Sequence, residues 1–181
     1  MRAIAFLSLS LAVWAVTPRP VVAQEPPVVG ETTRDKIEAN VPAWVAVEGE
    51  AKPEAEAVAG LAKVAGGGDV TVYLGTWCGD SRREVARLFR VCDELAAAGP
   101  LPFTLHFVGV DRDKKEPAAQ IAADHVLYLP TFIVRRGGAE VGRIVETSPA
   151  AVEKDLLALL SDRAHGVLSA SRPELVTPAR P

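Results

Sequence analysis

The chain has 181 residues, 49% of them hydrophobic and 24% charged, with a formal net charge of −3. That length is a prior for one domain with a substantial core. The acidic balance argues against a nucleic-acid partner, which would favour a basic patch.

Arg2, the apolar run Ala3 to Val16 and the small residues Val21-Val22-Ala23 read together as a secretory signal peptide over residues 1–23, cleaved before Gln24. Pro18 and Pro20 interrupt the run, and a spanning helix needs roughly 20 apolar residues, so an uncleaved anchor is the weaker reading. Two of the 20 Lys+Arg (Arg2 and Arg19) fall in this segment and no acid does; the remainder carries 18 basic against 23 acidic residues, a net of −5. The expectation is an exported protein, periplasmic or secreted, without stable membrane insertion after cleavage. Disulfides form readily in such a compartment.

Residues 24–52 read as an N-terminal extension. Gln24 to Thr33, rich in Pro, Glu and Gly, is expected to be a mobile leader. Asp35 to Trp44 carries Ile37, Val41 and Trp44 at helical spacing but is interrupted by Pro42, which predicts a short helix plus an extended stretch. The main domain is placed at residues 53–160. Pro53 to Ala65 is helix-like and stops at Gly66-Gly67-Gly68-Asp69; no Lys-Ser/Thr follows these glycines, so they are not a phosphate loop.

Val70 to Leu74 is strand-like by its β-branched and aromatic residues. Gly75-Thr76-Trp77 turns the chain into a helix whose apolar residues Val85, Leu88, Phe89, Cys92, Leu95 and Ala96 share one face. Gly99-Pro100 ends it, and the largely apolar Phe103 to Val110 predicts a second, central strand. After the polar loop Asp111 to Lys115 come a short helix at Pro117 to Ala123 and a third strand at Thr131 to Val134. Arg136-Gly137-Gly138 then signals a hairpin to a returning strand at Ala139 to Val145, and Ser148-Pro149 opens a last helix. Residues 161–181 read as a tail that is partly disordered. The β-α-β start implies parallel pairing and the closing hairpin is antiparallel, which predicts an α/β fold. Its mixed sheet has about four strands, with helices on both faces.

Cys78 follows a strand and lies at the first turn of a helix, where orphan N–H groups and the helix macrodipole favour a thiolate, the nucleophile of disulfide exchange. Arg82 and Arg83 add positive potential, whereas Asp80 opposes a second negative charge beside the sulfur. Cys92 lies 14 residues along the same helix, roughly 21 Å away at 1.5 Å per residue. A disulfide needs Cα atoms within about 7 Å, and Cys92 falls on the apolar face, so it reads as a buried core residue. His106, His125 and His165 are scattered and form no ligand pair with a cysteine at zinc spacing; neither metal nor cofactor is expected.

Trp77-Cys78-Gly79-Asp80-Ser81 after a strand, followed about 50 residues later by Leu129-Pro130-Thr131 and a strand hairpin, resembles the thioredoxin superfamily over roughly Pro53 to Leu160. The resemblance implies a thioredoxin-like fold, a cis Pro130 facing Cys78, and a Leu129 backbone that pairs with the substrate chain. The pattern also departs from that of the dithiol members. Ser81 stands where the resolving cysteine would be, and Val72 where thioredoxins carry a buried acid. A hydroxyl cannot attack a mixed disulfide, so a one-protein dithiol cycle is unavailable.

The leading expectation is monothiol chemistry: an oxidoreductase or isomerase in which Cys78 forms a mixed disulfide with a protein or low-molecular-weight thiol, resolved by an external thiol. The alternative is a non-catalytic module in which Trp77, Leu129 and Pro130 hold an extended peptide by β-type pairing. Cys78-Gly79-Asp80-Ser81 also resembles, superficially, the turn of single-cysteine glutaredoxins with a glutathione-bridged iron–sulfur site, but Asp80 stands where an apolar residue is expected.

Overall fold

The computed structural model describes residues 25–176; the signal-peptide segment and its cleavage point lie outside them, and so does the end of the tail. In chain order the elements are β1 (Gly30–Thr32), α1 (Arg34–Asn40), α2 (Ala43–Glu50), α3 (Ala55–Leu61), β2 (Asp69–Leu74), α4 (Gly79–Ala98), β3 (Thr104–Gly109), α5 (Ala118–Ala123), β4 (Thr131–Arg136), β5 (Ala139–Val145), α6 (Val152–Leu160), β6 (Gly166–Leu168) and a 3-10 turn at Pro173–Leu175.

The strands form one mixed sheet in the order β1-β3-β2-β4-β5-β6. β2 and β3 are parallel and joined by α4, β4 returns antiparallel on the other side of β2, and β5 follows through a hairpin. Gly137 and Gly138 form that turn with φ of 56° and 81°, a left-handed backbone that suits glycine. This arrangement of β2 to β5 around the α4 crossover is the thioredoxin-like fold.

The period of two in the strands divides the core. Val70, Val72, Leu74, Phe107, Phe132 and Val134 point to one side, where the buried faces of α1, α2, α3, α4 and α6 meet them. Tyr73, Val108 and Ile133 point to the other, where they pack with Val110, Val126, Leu129 and, from α5, Ile121. The α4 stripe of Val85, Leu88, Phe89, Cys92 and Leu95 is buried as its periodicity predicts, and Phe89 meets Phe107 edge to face at 5.5 Å.

Four expectations are corrected. The sheet has six strands rather than about four, because each edge gains a strand of three residues, too short to show alternation in sequence. β1 lies within the stretch read as a mobile leader: Gly30 pairs with Gly109 of β3, and the absence of a Cβ at Gly109 lets the Val28 carbonyl lie against it. The stretch after Pro42 is helical, not extended. Proline precedes the first turn of α2, where its missing N–H costs no hydrogen bond, and Trp44 in that first turn is buried. Finally, the segment read as a tail carries β6, parallel to β5. Gly142 and Gly166 are paired there, and a Cβ on Gly142 would stand 2.5 Å from the Gly166 carbonyl oxygen. The extension is thus part of the core: Ile37 and Trp44 are buried in it. Among the described residues no helix is long and apolar enough to cross a membrane.

Candidate functional site

Cys78 occupies the N-cap of α4 with an extended backbone (φ −90°, ψ 127°), one position earlier than a first-turn residue. Its N–H donates to the Gly75 carbonyl at 2.9 Å and its carbonyl accepts from the Arg82 N–H at 3.0 Å, so the turn is closed on both sides. The side chain is half-buried and packs against the α5-side cluster. Its Sγ–H donates to the Leu129 carbonyl at 3.6 Å. The Leu129–Pro130 peptide is cis. Two segments separated by 51 residues therefore meet at the sulfur.

The neighbours of Cys78 hold this turn in place. The Trp77 indole donates to the Val110 carbonyl at 3.0 Å and lies against Gly75, where a Cβ would come within 2.8 Å of the ring. Thr76 Oγ1 accepts from the Val28 N–H at 3.3 Å, which ties the turn to the segment before β1. Gly79 is exposed at the start of α4. Asp80 pairs with Arg83 at 2.9 Å, and Arg83 also bonds Glu84 and Thr147, so Asp80 and Arg83 largely neutralise each other. Ser81 is fully buried, and its Oγ accepts from the Gly75 N–H at 3.1 Å. The loop before Pro130 is also braced: Thr131 Oγ1 donates to the Tyr128 carbonyl at 2.7 Å, and the Glu146 N–H donates to the Pro130 carbonyl at 2.8 Å.

Leu129 and Pro130 therefore lie beside Cys78, together with Trp77, while Val72 sits in the apolar core on the opposite side of the sheet. Cys92 belongs to that same opposite core, where burial pushes its thiol up to about 12. Both cysteines are free thiols. His125 lines an apolar groove with Leu127, Tyr128 and Thr131, away from the residues that surround Cys78. Asp111, in the charged loop, accepts the N–H groups of Lys115 and Glu116 and so holds that loop in a turn; the Arg112 guanidinium lies 5.9 Å from the Trp77 ring centroid. Among the described residues no group of three His, Cys, Asp or Glu side chains is placed to hold a metal ion.

Sequence reasoning missed one side of the site. A cavity of about 290 Å³ opens beside Cys78, walled by Val41, Ala43 and Trp44 from the extension and by Thr76, Trp77, Gly79 and Arg82. The helical spacing of Val41 and Trp44 was the only signal for the wall, and it did not say what the two residues face.

No protein-family model matches the chain. It is 26% identical over 85 residues to the thioredoxin-like protein R548 of Acanthamoeba polyphaga mimivirus, a match that covers 47% of this chain and 57% of the viral protein. Among solved structures it is similar to an HIV epitope scaffold of the 4E10 series, with a TM-score of 0.58 and 15% identity over 75% of this chain and 95% of that one. It is also similar to PA1234 of Pseudomonas aeruginosa, described as a protein of unknown function, with a TM-score of 0.51 and 17% identity over 73% and 88%. The structural matches extend the common fold to most of the chain, and the sequence match is to a thioredoxin-like protein over about half of it.

Proposed function

We propose that this chain is an exported thiol–disulfide exchange protein, an oxidoreductase or isomerase, that works through Cys78 alone. The observation that carries the reading is the contact between Cys78 Sγ and the Leu129 carbonyl beside cis Pro130. It sets a half-buried cysteine at a helix N-terminus next to a stretch of backbone on which a substrate chain could pair. The similarity to the viral thioredoxin-like protein supports a redox role. In the proposed cycle Cys78 sulfur attacks one sulfur of a substrate disulfide, forming a mixed disulfide and releasing the other half as a thiolate. An external thiol then attacks the mixed disulfide and frees Cys78. An external thiol is required because Ser81 is buried and engaged with Gly75, and Cys92 is in the opposite core. Incubation of reduced protein with glutathione disulfide should give a single adduct on Cys78 by mass spectrometry, absent in Cys78→Ser. A Cys78 that stays unmodified under conditions that modify a free cysteine peptide sinks the reading.

One observation favours the non-catalytic module instead: an apolar groove of about 210 Å³ beside the Pro130 loop, lined by Leu127, Tyr128, Val145, Val167 and Leu175, with Leu127 68% exposed. That reading predicts peptide binding that survives Cys78→Ala.

A further inference from the structure

Helix α4 carries four arginines, and three of them are consumed by carboxylates: Arg83 by Asp80 and Glu84, Arg87 by Glu153, and Arg90 by Glu94. Arg82 has no ion-pair partner among the described residues. It is exposed, one turn after Cys78, and lines the same cavity as that residue. The remaining wall is apolar or uncharged, from Val41, Ala43, Trp44, Thr76 and Trp77, and contains no acid. The nearest acid in sequence, Asp80, is bound to Arg83. A cleft of about 290 Å³ approaches the size range of small-ligand sites, and its one charged side chain is a cation with a fork geometry suited to carboxylates.

We infer that this cleft is the selectivity site for the exchange reaction: Arg82 binds a carboxylate of a small anionic disulfide while Trp44 and Val41 cover its apolar part. The inference rests on the exchange reading above and names its substrate class. In the reaction, Cys78 thiolate and R–S–S–R give the Cys78–S–S–R mixed disulfide and R–S⁻, which takes a proton from solvent. A second thiol R′–SH then restores Cys78 and yields R–S–S–R′, its proton replacing the one lost by Cys78. Oxidant and reductant are thus the disulfide and the thiol themselves. The Arg82 charge acts on the carboxylate of R while it is held beside the sulfur.

The test uses the chain without the proposed signal segment, residues 24–181, reduced, with three small disulfides: dithiodiglycolate (dianionic), hydroxyethyl disulfide (neutral) and cystamine (dicationic). Each second-order rate of Cys78 adduct formation is divided by the rate for a free cysteine peptide, which removes intrinsic reactivity. The expected order is anionic, neutral, cationic, with about a fivefold or larger spread at low salt that shrinks in 1 M NaCl. R82E should reverse the order and R82Q should flatten it, whereas R90Q, at a paired position two turns away, should keep it. Equal normalised rates for all three disulfides, or an order unchanged in R82E and R82Q, overturn the inference and leave the exchange reading standing. No reaction with any of the three overturns both.

Discussion

The Gly75 amide donates to the Ser81 hydroxyl at 3.1 Å, across the whole of the turn that presents Cys78. Ser81 is therefore a structural member of the turn, closing the end of β2 onto the first turn of α4. Ser81→Ala should leave the buried Gly75 N–H without a partner and destabilise the fold by about 1–3 kcal/mol. Urea unfolding followed by far-UV circular dichroism measures this. An unchanged midpoint would show that the hydroxyl is dispensable to the turn.

The two thiols should behave as different chemical groups. Cys92 is 8% exposed and its thiol is pushed up to about 12 by burial, with the Arg34 charge working against that rise. Cys78 is half-buried at the mouth of a cavity. Iodoacetamide at pH 8 on native protein should therefore label one thiol, Cys78, and both in denaturant. Peptide mapping of the native sample would refute this if Cys92 carried label at a comparable rate.

Arg34 joins the N-terminal helices to α4, bonding Glu38 and Asp93 at 2.5 Å each and Glu48 besides, with its guanidinium 4.9 Å from the Phe89 ring centroid. Burial pushes the Glu48 carboxyl up to about 7, Asp93 adds to the rise, and Arg34 opposes it. Asp93 itself is held below its ordinary value by the Arg34 guanidinium. Between the ordinary value near 4.5 and about 7 the folded chain keeps a proton on Glu48 that the unfolded chain has released. The contribution of this group to stability is thus present below pH 4.5 and is lost as pH rises through 7. Glu48→Gln removes the titration, so its stability relative to the parent should rise between pH 5 and pH 8 by on the order of 1–2 kcal/mol. Urea midpoints of the two proteins at both pH values decide it; a constant or opposite difference contradicts the burial argument.

Gly109 lies under the Val28 carbonyl, which leaves no room for a Cβ. Gly109→Ala should lift the segment from Val28 to Thr32 off β3 and break the Val28 N–H to Thr76 bond, at a cost of about 1–3 kcal/mol. Hydrogen exchange of the amides from Val28 to Thr32 should accelerate, while those of β2 remain protected. Unchanged exchange in that segment would mean that the methyl group is absorbed elsewhere.

By itself, the sequence determined the elements whose signals are periodic or local. The α4 stripe, the Arg136-Gly137-Gly138 hairpin and the succession of β2 to β5 along the chain, with a parallel start and an antiparallel close, all follow from side-chain spacing and turn chemistry, whereas the pairing of β4 with β2 does not. The same spacing placed Cys92 on an apolar face. What only the tertiary structure decided depends on partners distant in the chain. β1 and β6 exist because Gly109 and Gly142 let a backbone approach closely, and a three-residue strand has no pattern of its own. Ser81 could be recognised as the missing second cysteine, but its bond to Gly75 depends on how the turn closes. Arg82 was legible as a positive charge beside Cys78. Asp80–Arg83 and Arg90–Glu94 are pairs three and four apart on α4, which helix spacing allows, but the pairing of Arg87 with Glu153 of α6 and the completion of the cleft beside Arg82 by Trp44 follow from the fold. The Arg87–Glu153 pair joins residues 66 apart in the chain and is a matter of distance in space, which sequence separation does not encode.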